Sequence, residues 1–134
     1  MAQIDLSPEA LSAFMVASGL VLDEMSGTRV TGHLELDESH HTPYGVVHGG
    51  VYATAVETAA SVGASLFVAE RGQFAVGVHN ATDFLRASSG GRAEVEALPL
   101  QQGRVQQLWL VTVTGADGRP LARGQVRLQN VEQR

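Results

Sequence analysis

The sequence predicts an α+β fold in which one long buried helix is wrapped by a mostly antiparallel six-stranded sheet. Three observations carry that expectation. Residues 49–69 form a run with a single charged side chain, Glu57, whereas a surface helix carries charges along its outer face. Strand-like segments flank the run, two before it and four after it, separated by turn signals rich in Gly, Ser and Asp. The chain has 134 residues, 44% of them apolar, which is the size and composition of a single domain, residues 1–134, with a sizeable core.

Each element follows from its residues. Ser7-Pro8-Glu9 opens a short helix, with Ser7 as cap, Pro8 in the first turn and Glu9 at the positive end; the helix runs to Ser18 and stops at Gly19. Strands over 20–25 and 29–36 meet at the Ser26-Gly27 turn. The second alternates, with Val30, Gly32, Leu34 and Leu36 on one face and Arg29, Thr31, His33 and Glu35 on the other. Residues 37–44 are polar, contain Pro43 and form a loop. The long helix ends at Glu70-Arg71-Gly72, with an arginine near its negative end and a glycine just beyond. Strands follow over 75–85, 92–100, 105–114 and 120–128. Ala53, Ala55, Ala59, Ala60, Gly63 and Ala64 allow neighbouring backbone to approach the helix closely. A helix apolar nearly all round must be covered nearly all round, by the sheet and by a second subunit.

Composition excludes several function classes. With no cysteine there is no disulfide, cysteine nucleophile or thiolate metal site. All nine basic residues are arginine, so there is no lysine for a Schiff base or a P-loop. A net charge of −5 without a basic block argues against nucleic acid. Asp5 and Glu9 stand where a signal peptide would carry basic residues. Residues 47–69 are long enough to raise a membrane question, but they contain Glu57 and are rich in Ala, Ser and Thr. The expectation is a buried helix, no membrane partner and a cytoplasmic location. His40, His41, His48 and His79 lack metal-ligand spacing, so no metal is expected. No Gly-x-Ser-x-Gly elbow for a serine hydrolase occurs.

Glu57 is the residue that most needs a reason. Its neighbours on the helix surface are Ala53, Thr54, Ala60 and Ser61, so no cation of the helix neutralises it, and burying an unpaired carboxylate is costly. A carboxylate kept at the bottom of a cleft serves as base or nucleophile. Ser61, one turn on, can donate to it. Ahead of the helix, His48-Gly49-Gly50 lets a ligand approach free backbone N–H groups at a positive helix end, where a carbonyl oxygen gaining charge is stabilised. His48 and Glu57 are nine residues apart, about 13 Å along a helix. One reacting carbon cannot easily meet both in one chain. Two such helices packed antiparallel across a two-fold axis can bring Gly49 of one subunit to Glu57 of its mate, giving two composite sites per dimer. Asn80 and Arg86 lie where a strand runs into a loop, and Arg104 sits in a tight turn where it can grip a phosphate.

The segment His41-Thr42-Pro43-Tyr44-Gly45-Val46-Val47-His48-Gly49-Gly50, followed by Glu57 and Ser61, resembles the hotdog-fold acyl-CoA thioesterases. The resemblance points to the branch of the Arthrobacter-type 4-hydroxybenzoyl-CoA thioesterase and the phenylacetate-pathway enzymes. Val76-Gly77-Val78-His79-Asn80, Phe84-Leu85-Arg86 and Gly103-Arg104 add support. It implies hydrolysis of a thioester between coenzyme A and a small, aromatic acyl group, without a separate cofactor. It further implies Glu57 as nucleophile or general base, Gly49 as the donor to the thioester carbonyl, His48 as its support, and Ser61 as a residue placing water or acyl group. Thr42 stands where the family often has Asn or Gln, with His41 as a possible substitute. Gly50, Asn80, Arg86 and Arg104 become substrate- and CoA-binding residues, and dimers pair into tetramers. The competing reading is a non-catalytic acyl-CoA-binding or sensor domain on the same fold. A hydratase of that fold would use an Asp/His pair on a motif not found here.

Overall fold

The computed structural model describes residues 4–7 and 9–134. It contains two α-helices, α1 (Ala13–Ser18) and α2 (Gly49–Val68), and six strands. The strands are β1 (Leu20–Met25), β2 (Val30–Leu36), β3 (Gln73–Phe84), β4 (Gly91–Gln102), β5 (Gln106–Thr114) and β6 (Pro120–Glu132). They form one sheet in the order β1-β2-β4-β5-β6-β3, and every neighbouring pair is antiparallel. After β2 the chain crosses the sheet as α2, lays β3 on the far edge, and returns through β4, β5 and β6.

Alternation in β2 is as expected: Val30, Gly32, Leu34 and Leu36 are buried. They meet the inward face of α2, where Tyr52, Ala55, Val56, Ala59, Ala60, Gly63 and Ala64 are buried. From Val51 to Val68 no residue of α2 is fully exposed. Small residues are what allow this closeness: a side chain at Gly63 would collide with the ring of Trp109, which is wholly buried in β5. The stretch Gly49–Arg71 is long and apolar enough to cross a membrane, and here it is the core helix that the sheet covers.

Two local expectations are corrected. Helix α1 begins at Ala13, not at Ser7, because Ser12 is the cap and accepts from the Met15 N–H at 3.2 Å. The Ser7 carbonyl instead closes a separate turn, accepting from Ala10 and Leu11 N–H; Pro8 lies outside the described residues. Gly19 does end α1, in the left-handed region at φ 78°. The polar loop after β2 contains one 3-10 turn, Glu38–His40, held by a capping box between Asp37 and His40.

Strand β3 is one of the two edges of the sheet, opposite β1, and is exposed. Of its residues only Ala75 is buried, and Phe74, Val76, Val78 and Phe84 are open apolar side chains. The register with β6 jumps from Gly77↔Leu128 to His79↔Arg127, so Val78 is a bulge. A bulge changes which face the following residues present. Gly77 and Asn80, three apart, thereby both turn toward α2.

Candidate active site

The mouth of α2 is built by His48. Its backbone is extended, with φ −65° and ψ 132°, and its Nδ1 accepts from the Gly50 N–H at 2.8 Å. Acceptance at Nδ1 puts the proton of the neutral ring on Nε2. The His48 N–H donates to the His40 carbonyl at 2.8 Å, and its carbonyl accepts from Val51 N–H at 3.0 Å. Gly50 and Val51 are therefore engaged, while the Gly49 N–H has no acceptor among the described residues. Gly50, expected as a binding residue, spends its N–H on the cap, and the free donor at the positive helix end is that of Gly49.

The ring of Phe84 lies over Gly49: a methyl added there would stand 3.0 Å from Phe84 Cζ. Val46, Val47, Tyr52, Leu85 and Arg86 join these two around a pocket of about 310 Å³. Burial pushes the Tyr52 phenol above its ordinary value, and its hydroxyl has no partner among the described residues.

Glu57 lies two turns further along α2 and is half-buried. Both of its oxygens are held by neutral donors. Ser61 Oγ donates to Oε2 at 3.2 Å, as the one-turn spacing predicts, and Asn80 Nδ2 donates to Oε1 at 3.2 Å. No cation pairs with it among the described residues, so it is oriented without being neutralised. Glu57 and Gly49 are eight residues apart on one uninterrupted helix, about 12 Å at the helical rise.

Asn80 lies beside Glu57. Expected to bind substrate, it directs its amide hydrogens to Glu57 Oε1 at 3.2 Å and to the Ala53 carbonyl at 3.3 Å. Thr42 organises its own loop: its N–H donates to the Val46 carbonyl at 2.7 Å, and its hydroxyl accepts from Tyr44 N–H at 3.2 Å. His41 Nε2 donates to the Ser89 carbonyl at 2.6 Å. The Arg86 guanidinium is already engaged with Asp117, at 3.0 Å, and holds that carboxyl down at about 2. Arg104 is exposed on the turn between β4 and β5, its carbonyl accepting from Asn130 Nδ2 at 3.0 Å. His79 points away from this site, into a groove on the outer sheet face with Arg127 and Gln125. Among the described residues no group of three His, Cys, Asp or Glu is placed to hold a metal.

Two residues beside the carboxylate were not picked out by the sequence as site candidates. Thr82 Oγ1 donates to Asn80 Oδ1 at 2.6 Å, and Gly77 is packed so close to Glu57 Oε2 that any side chain there would collide with it. A glycine inside an otherwise apolar strand is the one signal that marks such a close approach.

Comparison with known proteins gives the family and the fold. The family described as the thioesterase superfamily matches residues 44–122, which include the helix mouth, Glu57 and Asn80. The chain is 52% identical over 92 residues to "Putative esterase Rv1847" of Mycobacterium tuberculosis, covering 67% of this chain and 66% of that protein. The solved structure of that protein superposes with a TM-score of 0.88 at 43% identity, over 92% of this chain and 99% of the other. The chain is 40% identical over 94 residues to 1,4-dihydroxy-2-naphthoyl-CoA thioesterase 2 of Arabidopsis thaliana, covering 69% of this chain and 59% of that one. With the proofreading thioesterase EntH of Cronobacter sakazakii it shares 30% over 116 residues, 83% of this chain and 84% of the relative. In sequence the match thus spans just under two thirds of the Mycobacterium protein and less of the Arabidopsis enzyme. With the long helix held in an antiparallel six-stranded sheet and the family matching across both halves of the candidate site, this chain belongs to the thioesterase superfamily and has its hotdog fold.

Proposed function

We propose that this protein is a cytoplasmic hydrolase of coenzyme A thioesters carrying a small aromatic acyl group, working through composite sites in a dimer that pairs into a tetramer. One observation carries the reading: Glu57 is an oriented, un-neutralised carboxylate on the same helix as a free Gly49 N–H that it cannot reach. The exposed apolar edge strand β3, which carries Asn80 beside Glu57, supports a second subunit there, whose Gly49 N–H would complete the site.

In that arrangement the thioester carbonyl oxygen accepts from the partner's Gly49 N–H at the positive helix end. Glu57 either attacks the carbonyl carbon or takes the proton of an attacking water. The C–S bond breaks, the CoA thiolate leaves and takes a proton, and the acid is released. The fixed donor stabilises the oxyanion by about 3 kcal/mol, the usual magnitude for one such group. The aromatic preference is supported by the pocket beside Gly49, walled by Phe84, Leu85 and Tyr52, and by the naphthoyl-CoA named for the Arabidopsis relative.

The test is turnover of benzoyl-CoA and hexanoyl-CoA, followed with a thiol-reactive dye. Glu57→Gln should fold normally and lose about a thousandfold in kcat, within the range for removal of a general base. Tight binding of either thioester by the wild-type protein without thiol release would favour the non-catalytic reading instead.

A further inference from the structure

We infer that strand β3 carries a positioning device for Glu57, in which Asn80, locked by Thr82 and set in phase by the bulge at Val78, fixes the orientation of the carboxylate. The inference rests on the proposal that Glu57 carries the reaction. It adds residues that act through Glu57 and touch no substrate.

An asparagine amide has two hydrogens to donate and an oxygen that accepts. All three capacities of Asn80 are used. One hydrogen goes to Glu57 Oε1 at 3.2 Å and the other to the Ala53 carbonyl at 3.3 Å, in the helical turn immediately before Glu57. Its Oδ1 accepts from Thr82 Oγ1 at 2.6 Å. A free amide can turn over and present its oxygen to the carboxylate, which would be repulsive. Turning the amide over would set its oxygen against two acceptors, Glu57 Oε1 and the Ala53 carbonyl, and would cost the hydrogen bond that Thr82 Oγ1 donates to Oδ1, the hydroxyl having to rotate and accept instead. Thr82 can reach inward because Gly124 faces it across β6: a side chain at Gly124 would stand 2.6 Å from Thr82 Oγ1.

Phase is the second part. On a regular strand residues three apart point to opposite faces. The bulge at Val78 removes one step, so Gly77 and Asn80 both face α2, and Thr82 follows Asn80 by the normal two. Gly77 leaves the space in which Glu57 Oε2 rests, its φ not being in the left-handed region; the glycine is there for room. With Ser61 on Oε2 and Asn80 on Oε1, the carboxylate is held at both oxygens from two different elements. Groups held in this way keep the reacting atoms in line, a gain that appears in kcat.

Steady-state kinetics on the faster of benzoyl-CoA and hexanoyl-CoA, with melting temperatures measured in parallel, test the inference. Thr82→Val keeps shape and removes the lock; kcat should fall about tenfold with KM within about twofold, as for loss of one hydrogen bond in a network around a charged group. Thr82→Ser should return kcat to within about twofold of wild type, and Asn80→Ala should lower it about a hundredfold. Wild-type kcat in both Thr82→Val and Asn80→Ala, beside an inactive Glu57→Gln, would overturn the inference alone, whatever happens to the melting temperature. Wild-type kcat in Glu57→Gln would overturn the underlying reading and this inference with it.

Discussion

At the scale of single residues, His48 both caps a helix and decides which backbone donor at its mouth stays open. By accepting from Gly50 N–H it caps α2, and by capping Gly50 it leaves the neighbouring Gly49 N–H as the open donor. Loss of a capping side chain typically costs about 1 kcal/mol. His48→Ala should therefore lower stability by about that amount, measured by urea unfolding, while His48→Asn, a good capping residue, should restore most of it. If both variants hydrolyse slowly, His48 does more than cap. Residues like this one were legible because they are odd within their own segment: Glu57 is the lone charge of an apolar helix, and His48-Gly49-Gly50 stands at its mouth. Asn80, Thr82 and Gly77 were not assigned to the carboxylate, since unbroken alternation along β3 puts Gly77 and Asn80 on opposite faces. Only the pairing with β6 reveals the extra residue between them.

At the scale of elements, strand positions were recoverable wherever one face is buried and the other solvated, as in β2. The start of α1 was not: Ser7-Pro8-Glu9 has the form of a helix opening, yet the Ser7 carbonyl closes a separate turn and Ser12 caps the helix. Loops show the same dependence on distant partners. Arg86, in the connection from β3 to β4, is tied to Asp117 in the turn between β5 and β6. The Asp117 carboxyl is held at about 2, against an ordinary 3.8, chiefly by its hydrogen bond from Arg86 and then by the Arg119 N–H. A carboxylate depressed in the folded state adds stability that is complete above its unfolded value and is lost as pH falls through the folded one. The melting temperature of the wild type should thus fall more steeply between about pH 4 and pH 2 than that of Asp117→Asn. Thermal melts across that range check it, and parallel curves would show that the pair contributes nothing.

At the scale of the whole molecule, the separation of Gly49 from Glu57 along one continuous helix makes assembly the central question. Composite sites predict complementation between two inactive variants. Glu57→Gln lacks the acid. Gly49→Pro lacks the N–H, and proline suits the first helical position after the extended His48. Co-expressed in equal amounts, the two should form heterodimers with one intact site each, recovering about a quarter of wild-type turnover by random pairing across a two-fold axis. No recovery, with mixed dimers demonstrated by tagged pull-down, would place both groups in the same subunit. Such experiments need assurance that each variant has kept its interior, and the protein carries its own reporter. Trp109 is the sole tryptophan, has no exposed surface, lies against Gly63 of the central helix, and donates its indole N–H to Gln107 at 2.9 Å. Its emission comes from the contact between helix and sheet, so a red shift in fluorescence signals that these two layers have parted, without any added dye.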